Sequence, residues 1–303
     1  MDAATLARRP GRVRRKRRSR AGRRSAWLLT APALVVMVAV AGCPVLYGVW
    51  LSLQRYDLRF PDERGFVGLG NYAAVLSAPV FWAALAATAV ITVVAVGLEL
   101  AAGLGIALIL RRGLAGRRAL HAALLLPYGI ITVVAAFAWQ YLATPSLSFL
   151  TDRAWLGQRW SSFAVIIATE VWKATPFVAL LLLAGLAAVP DELMDTATLD
   201  GAGRWQRFER VLLPAIRPVL LVVLLYRTVD TVRVFDTVFI QTNGANGTQT
   251  LSLLAYRQLA DRLNLGLGSA VSVLLFLLAA ATAVGFVWVF RADLRELSPG
   301  GGG

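Results

Sequence analysis

The 303-residue chain is 58% hydrophobic and only 16% charged, yet it carries a formal charge of +14 from 31 Lys+Arg against 17 Asp+Glu. A soluble domain has about 25% charged and about 45–50% apolar residues, so this composition demands the lipid bilayer as a second solvent and excludes disordered and collagen-like chains. The basic excess is local: residues 1–24 hold eleven Arg/Lys and one acid, Asp2, which leaves +4 for the remaining 279 residues. A nucleic-acid-binding reading of the whole chain is thereby set aside, and the tail is assigned to anionic lipid, at about 1 kcal/mol per basic residue. Cys43 and His121 are the only residues of their types, which excludes an internal disulfide and a Cys/His zinc cluster. The two lysines, Lys16 and Lys173, precede Arg17 and Ala174, so no Gly-Lys-Ser/Thr phosphate loop is present and driving energy must come from a partner or a gradient.

In chain order, residues 1–25 are predicted to be a disordered basic tail. Six apolar runs follow, near 26–51, 82–110, 119–143, 162–188, 215–239 and 266–290. Each is long enough to cross the hydrocarbon, which takes about 20 helical residues, and helix is the default because backbone groups in lipid must be satisfied within the segment. The first run contains Val40-Ala41-Gly42-Cys43, which resembles a lipoprotein cleavage site, but apolar residues continue to Leu51, so the span is expected to be retained. Six spans put both termini on one side. The tail, the turn with Arg111, Arg112, Arg117 and Arg118, and Arg204, Arg207, Arg210, Arg217, Arg291 and Arg295 then mark that side as cytoplasmic. The expected architecture is all-α and polytopic: a membrane domain over 26–292 and a flexible tail over 293–303. His121 is expected at the interface.

Ionisable groups inside a membrane cost about 2.5–3.5 kcal/mol each on insertion scales, so Glu99, Glu170, Lys173, Arg227, Asp230 and Arg233 should face the bundle interior and pair. Helical spacing places Glu170, Lys173 and Phe177 on one face of span four, and Tyr226, Arg227, Asp230 and Arg233 on one face of span five. Together with Trp139, Trp172 and Phe235 these residues offer hydrogen-bonding groups beside apolar ring faces, as a carbohydrate requires. The alternative role for Glu170–Lys173 and Arg227–Asp230 is as ion pairs that lock the bundle.

The polar stretch 189–214 lies between spans four and five. Pro190 and the acids after it start a helix, Gly201 turns it, and a second helical piece follows, ended by Pro214. On that reading Leu193, Met194, Ala197, Trp205 and Phe208 point inward. Asp195-Thr196-Ala197, Gly201 and Val211-Leu212-Leu213-Pro214 resemble the EAA loop of binding-protein-dependent ABC importer permeases, with Asp195-Thr196 where that family has Glu-Ala. Further segments are similar to sugar permeases of the maltose/trehalose type, including those of actinobacterial trehalose importers: Gly68-Leu69-Gly70-Asn71-Tyr72, Leu126-Pro127-Tyr128-Gly129, Glu170 to Phe177, Tyr226 to Asp230, and Leu251 to Tyr256.

This resemblance implies a type I ABC importer permease fold with six transmembrane helices. It assigns ATPase coupling to Asp195, Ala197, Asp200, Gly201, Gly203 and Pro214, on a short helix that docks in a cleft of the ATPase. It implies a second permease subunit, two cytoplasmic ATPase subunits and an extracellular solute-binding protein as partners, a sugar as substrate, and no cofactor on this chain, with ATP and Mg used by the partner ATPase. The competing reading is a proton-coupled secondary transporter that uses Glu99, Glu170 and Asp230, against which stands the lack of an internal repeat.

Overall fold

The computed structural model describes residues 20–111, 117–145 and 153–296. The basic tail through residue 19, residues 112–116 of the basic turn, residues 146–152, the end from 297 and the His121 side chain lie outside the described residues. The chain forms two compact units, Met1–Tyr47 and Gly48–Gly303.

Helix α1 (Arg20–Ser52) begins inside the expected tail and runs through Cys43 with Pro32 and Pro44 in its interior. Each proline removes one backbone donor, a loss the flanking turns tolerate in an apolar setting. Its apolar side chains from Val35 to Val40 are well exposed, as a lipid-facing surface requires.

In the larger unit a small cap follows α1. Strands β1 (Gln54–Arg55) and β2 (Gly65–Phe66) pair antiparallel, with Gln54 opposite Phe66, and α2 (Gly70–Ser77) leads on from them. The buried Asn71 explains the Gly-Asn-Tyr segment: its Nδ2 donates to the Ser52 and Gln54 carbonyls, both at 2.8 Å. The Leu58 N–H donates to the Leu263 carbonyl at 2.9 Å and the Gly266 N–H to the Tyr56 carbonyl at 3.1 Å, tying the cap to the region that opens the last helix. Hydrogen bonds from Arg59 hold the Asp57 carboxyl at about 2, well below its ordinary 3.8, and Asn264 adds a further donor.

Long helices α3 (Pro79–Arg111) and α6 (Arg159–Ala187) form the central pair. Gly103 lets them approach, since a Cβ there would lie 2.6 Å from Val178 Cγ1; small residues serve this purpose where lipid supplies no hydrophobic drive for helices to associate. The third expected span is two helices, α4 (Arg117–Gly129) and α5 (Thr132–Ala143), because Pro127 and Gly129 end the first of them.

After α6 come α7 (Asp191–Leu199) and α8 (Arg204–Arg207). The expected stop at Pro214 does not occur. A π-helical turn, Phe208–Leu212, carries α8 straight into α9 (Leu213–Thr231), and the Leu213 N–H reaches back to the Phe208 carbonyl. The wider turn absorbs the donor that Pro214 lacks. The fifth expected span breaks as well, at 232–235, before α10 (Asp236–Gln241). Its residues Val229, Thr231, Val232 and Val234 are β-branched and poor helix formers. Helices α11 (Leu251–Tyr256) and α12 (Leu265–Glu296) complete the chain. Among the described residues, four helices are long and apolar enough to cross a membrane: the Val35–Ser52 part of α1, α3, α6, and Leu265–Val289 of α12.

The core is layered. Ala107, Val178, Leu182, Leu186, Ile216 and Val223 form one apolar cluster. Ile91, Ala95, Ile166, Val234, Val238 and Leu253 form a second. On α3, α6 and α9 the intramembrane charges fall between these two sets, so the polar groups form a layer sandwiched by apolar ones.

Candidate functional site

The two helix breaks face each other across a polar cavity of about 430 Å³. Tyr128 and Thr132 come from the ends of α4 and α5, Glu170 and Lys173 from α6, and Tyr226, Arg227 and Asp230 from α9. Arg233, Phe235, Asp236 and Thr237 come from the second break and the start of α10. Broken helices suit this role, since they bring backbone ends and side chains to mid-depth where irregular backbone lines a cavity. Two glutamines support the break: Gln140 Nε2 donates to the Ile240 carbonyl at 2.9 Å, and Gln241 Nε2 to Thr169 Oγ1 at 2.7 Å.

The pairing differs in part from the expected one. Arg227 donates from Nη1 to Asp230, as helical spacing predicts. Glu170 and Lys173 do not pair with each other: Thr237 donates to Glu170, and Lys173 donates to Thr132. Both side chains look across the cavity, where α10 and α5 offer closer partners. The strongest intramembrane contact joins residues 128 apart in sequence. Arg227 Nε lies 2.7 Å from Glu99 Oε2 and Nη2 lies 2.9 Å from Oε1, with both residues buried.

An aromatic stack borders the same cavity. The rings of Tyr128 and Phe177 are 4.9 Å apart and nearly parallel, and Phe177 is 5.4 Å from Tyr226. Trp139 and Trp172 are elsewhere. They meet edge to face at 6.2 Å and line an apolar groove with Val94, Leu98 and Phe163. Sequence reading therefore placed Glu170, Lys173, Tyr226, Arg227, Asp230 and Phe235 where the structure gathers them, while the two tryptophans lie in a separate apolar groove. It did not single out Thr132, Asp236 or Thr237, for which the signal is adjacency to a helix break.

The loop 189–214 is an ordered, exposed feature. Pro190 precedes α7, and Asp191 and Glu192 occupy its first turn, where the helix dipole favours acids. Gly201, at φ +79°, ends it: the Ala202 N–H donates to the Ala197 carbonyl at 3.0 Å and the Gly201 N–H to the Thr198 carbonyl at 3.1 Å. That pattern is a Schellman cap. No atom lies within 4 Å of a Cβ built at Gly201, so the glycine is required by conformation and not by crowding within this chain. The Gly203 N–H donates to Gln206 Oε1 at 2.9 Å, and Arg207 Nη1 donates to Thr198 Oγ1 at 2.7 Å, so α8 is braced against α7. Asp195 and Asp200 are exposed. Met194 and Phe208 rest on the bundle core, whereas Leu193, Leu199 and Trp205 are exposed, Leu199 by 89% and Trp205 by 71%. The expectation that Leu193 and Trp205 point inward is thus corrected, because only one edge of this short helix pair reaches the core.

Fold and site together define a polytopic helical membrane protein with a polar cavity at two helix breaks and a braced, exposed loop. The chain belongs to the family described as "Binding-protein-dependent transport system inner membrane component", whose model matches residues 99–295. It is therefore a multi-pass plasma-membrane permease component of an ABC importer. It is 46% identical over 286 residues to the trehalose transport system permease protein SugA of Mycobacterium tuberculosis, covering 93% of each chain. It is 41% identical to the trehalose/maltose transport system permease protein MalF of Thermococcus litoralis, covering 88% of this chain and 94% of that one. Its fold matches a chain of a bacterial ABC transporter involved in the import of the acidic polysaccharide alginate, with a TM-score of 0.77 at 19% identity, over 90% of this chain and 99% of that one.

Proposed function

We propose that this chain forms half of the pore of an ATP-driven disaccharide importer, with trehalose or a close relative as its substrate. The polar cavity is the sugar path, and Asp195 to Gly203 form the contact with a cytoplasmic ATPase. Six membrane passes with both termini cytoplasmic complete the topology, α4 with α5 and α9 with α10 each serving as one pass. The observation that carries the reading is the cavity at the two helix breaks. Carboxylate, ammonium, guanidinium and hydroxyl groups converge beside the stacked rings of Tyr128, Phe177 and Tyr226, the combination that hydrogen-bonds sugar hydroxyls and covers a ring face. The identity to trehalose permeases over 93% and 88% of this chain supports the substrate class.

The partners are a second permease, two ATPase subunits that bind ATP and Mg, and an extracellular binding protein; this chain holds no nucleotide itself. Closure of the ATPases moves α7, and α8 and α9 carry that movement toward the cavity as one continuous helix through the π-turn. Proteoliposomes containing the assembled importer test the reading: trehalose uptake should require internal ATP and the binding protein and should survive an uncoupler. Uptake without ATPase that collapses with the uncoupler would establish a proton-coupled carrier instead.

A further inference from the structure

Glu99 is the only fully buried carboxylate among the described residues, and it does not line the cavity. Both of its oxygens accept from Arg227. Arg227 also donates from Nη1 to Asp230 and from Nη2 to Thr231 at 3.3 Å, so each of its three nitrogens is engaged. One of its five N–H groups, on Nη1, is left without an acceptor, so the guanidinium borders the cavity with a single donor and no two-donor fork to offer a ligand. A sugar entering there meets Asp230 instead, whose side chain is 47% exposed and which holds Arg227 through Oδ2 alone.

The charges around the cavity tell the same way. Lys173, Arg227 and Arg233 are faced by Glu170, Asp230 and Asp236, and Glu99, one layer behind, makes four carboxylates against three bases. Lys173 is held by Thr132, and Arg233 is exposed rather than buried, where a charge–charge contact is worth little. Arg227 is buried, and a buried guanidinium without its carboxylate would be the strongest anion site in the pore.

We propose that Glu99 is a positioning residue that makes the cavity select neutral sugars over anionic ones, by occupying Arg227 and leaving Asp230 as the acceptor for sugar hydroxyls. This rests on the cavity being the sugar path. The test uses the importer assembled with its partner subunits in nanodiscs, without nucleotide or binding protein. Binding of radiolabelled trehalose and of trehalose 6-phosphate is measured by equilibrium dialysis. The wild type should favour trehalose. Glu99→Gln, assembled and with an unchanged melting temperature, should move the ratio of affinities toward the phosphate by about tenfold or more, the effect of freeing one charge-assisted donor set. Glu99→Gln combined with Arg227→Gln should return it. If Glu99→Gln does not assemble, Glu99→Asp, which shortens the reach to Arg227, should shift the ratio in the same direction by less. An unchanged ratio in whichever variant assembles overturns the role of Glu99 alone, as does a double variant that shifts as far as Glu99→Gln. Absence of trehalose binding to the wild type overturns the sugar path and this inference together.

Discussion

At the residue scale, the proposed coupling role rests at Gly201 on a backbone requirement. Its positive φ closes α7 and aims the chain back along α8. A β-branched side chain at that φ costs about 1–2 kcal/mol, which reshapes the turn and leaves the membrane helices alone. Gly201→Val should therefore insert and fold in the membrane, yet lose ATPase association and uptake. Co-purification of the ATPase with the variant measures this, and a normal yield of complex would remove the loop from the coupling path. The exposed Leu193, Leu199 and Trp205 beside the turn fit the same assignment, since apolar groups of this size on an ordered loop await a partner surface.

At the element scale, the α3–α6 pair carries the bundle, and it relies on Gly103. A methyl group 2.6 Å from Val178 Cγ1 must push the helices apart or turn a buried side chain out of its rotamer. Gly103→Ala should cost about 1–3 kcal/mol, read as a lower melting temperature of the detergent-solubilised complex, and an unchanged melt would mean that α3 shifts freely. The hairpin of β1 and β2 gives a pH-dependent case. The folded Asp57 value of about 2 lies below its ordinary 3.8. Its contribution to holding the hairpin is thus complete above 3.8 and is lost as pH falls toward 2. The fluorescence contributed by Trp50, taken as the difference from the same chain with Trp50→Phe, reports on that hairpin, since its ring is 6.2 Å from Phe66 of β2. The wild type should show a transition in this interval that Asp57→Asn does not, and identical titrations would assign the hairpin's stability to its backbone bonds.

At the scale of the whole molecule, the proposed topology puts α7 on the cytoplasmic side and the turn between α11 and α12 outside. Because Cys43 is the only cysteine, Cys43→Ser provides a clean background. Glu192→Cys should react with an impermeant maleimide only after the membrane is opened, and Asp261→Cys in intact cells; reaction of both from one side would refute the six-pass arrangement.

By itself the sequence determined the membrane environment, the apolar runs, the helix–turn–helix of the loop and most of the cavity's polar residues. Each of these follows from composition or from a local rule of spacing and turn chemistry. The run 119–143 is expected as one unbroken span, yet it carries local breakers, Pro127 and Gly129, at the point where the structure divides it. The break at 232–235 contains neither proline nor glycine, so a weak propensity was decided by tertiary partners: Thr250 Oγ1 bonds the freed Val234 carbonyl, and Gln241 holds α10. Pairing was the least legible. Glu170 and Lys173 are three residues apart, yet they bond across the cavity to Thr237 and Thr132, and Arg227 finds Glu99 128 positions away. Only the tertiary structure decided this, because at the low-dielectric centre of a bundle a charge is matched to whatever group the packed helices bring within about 3 Å, and sequence distance has no bearing on that geometry.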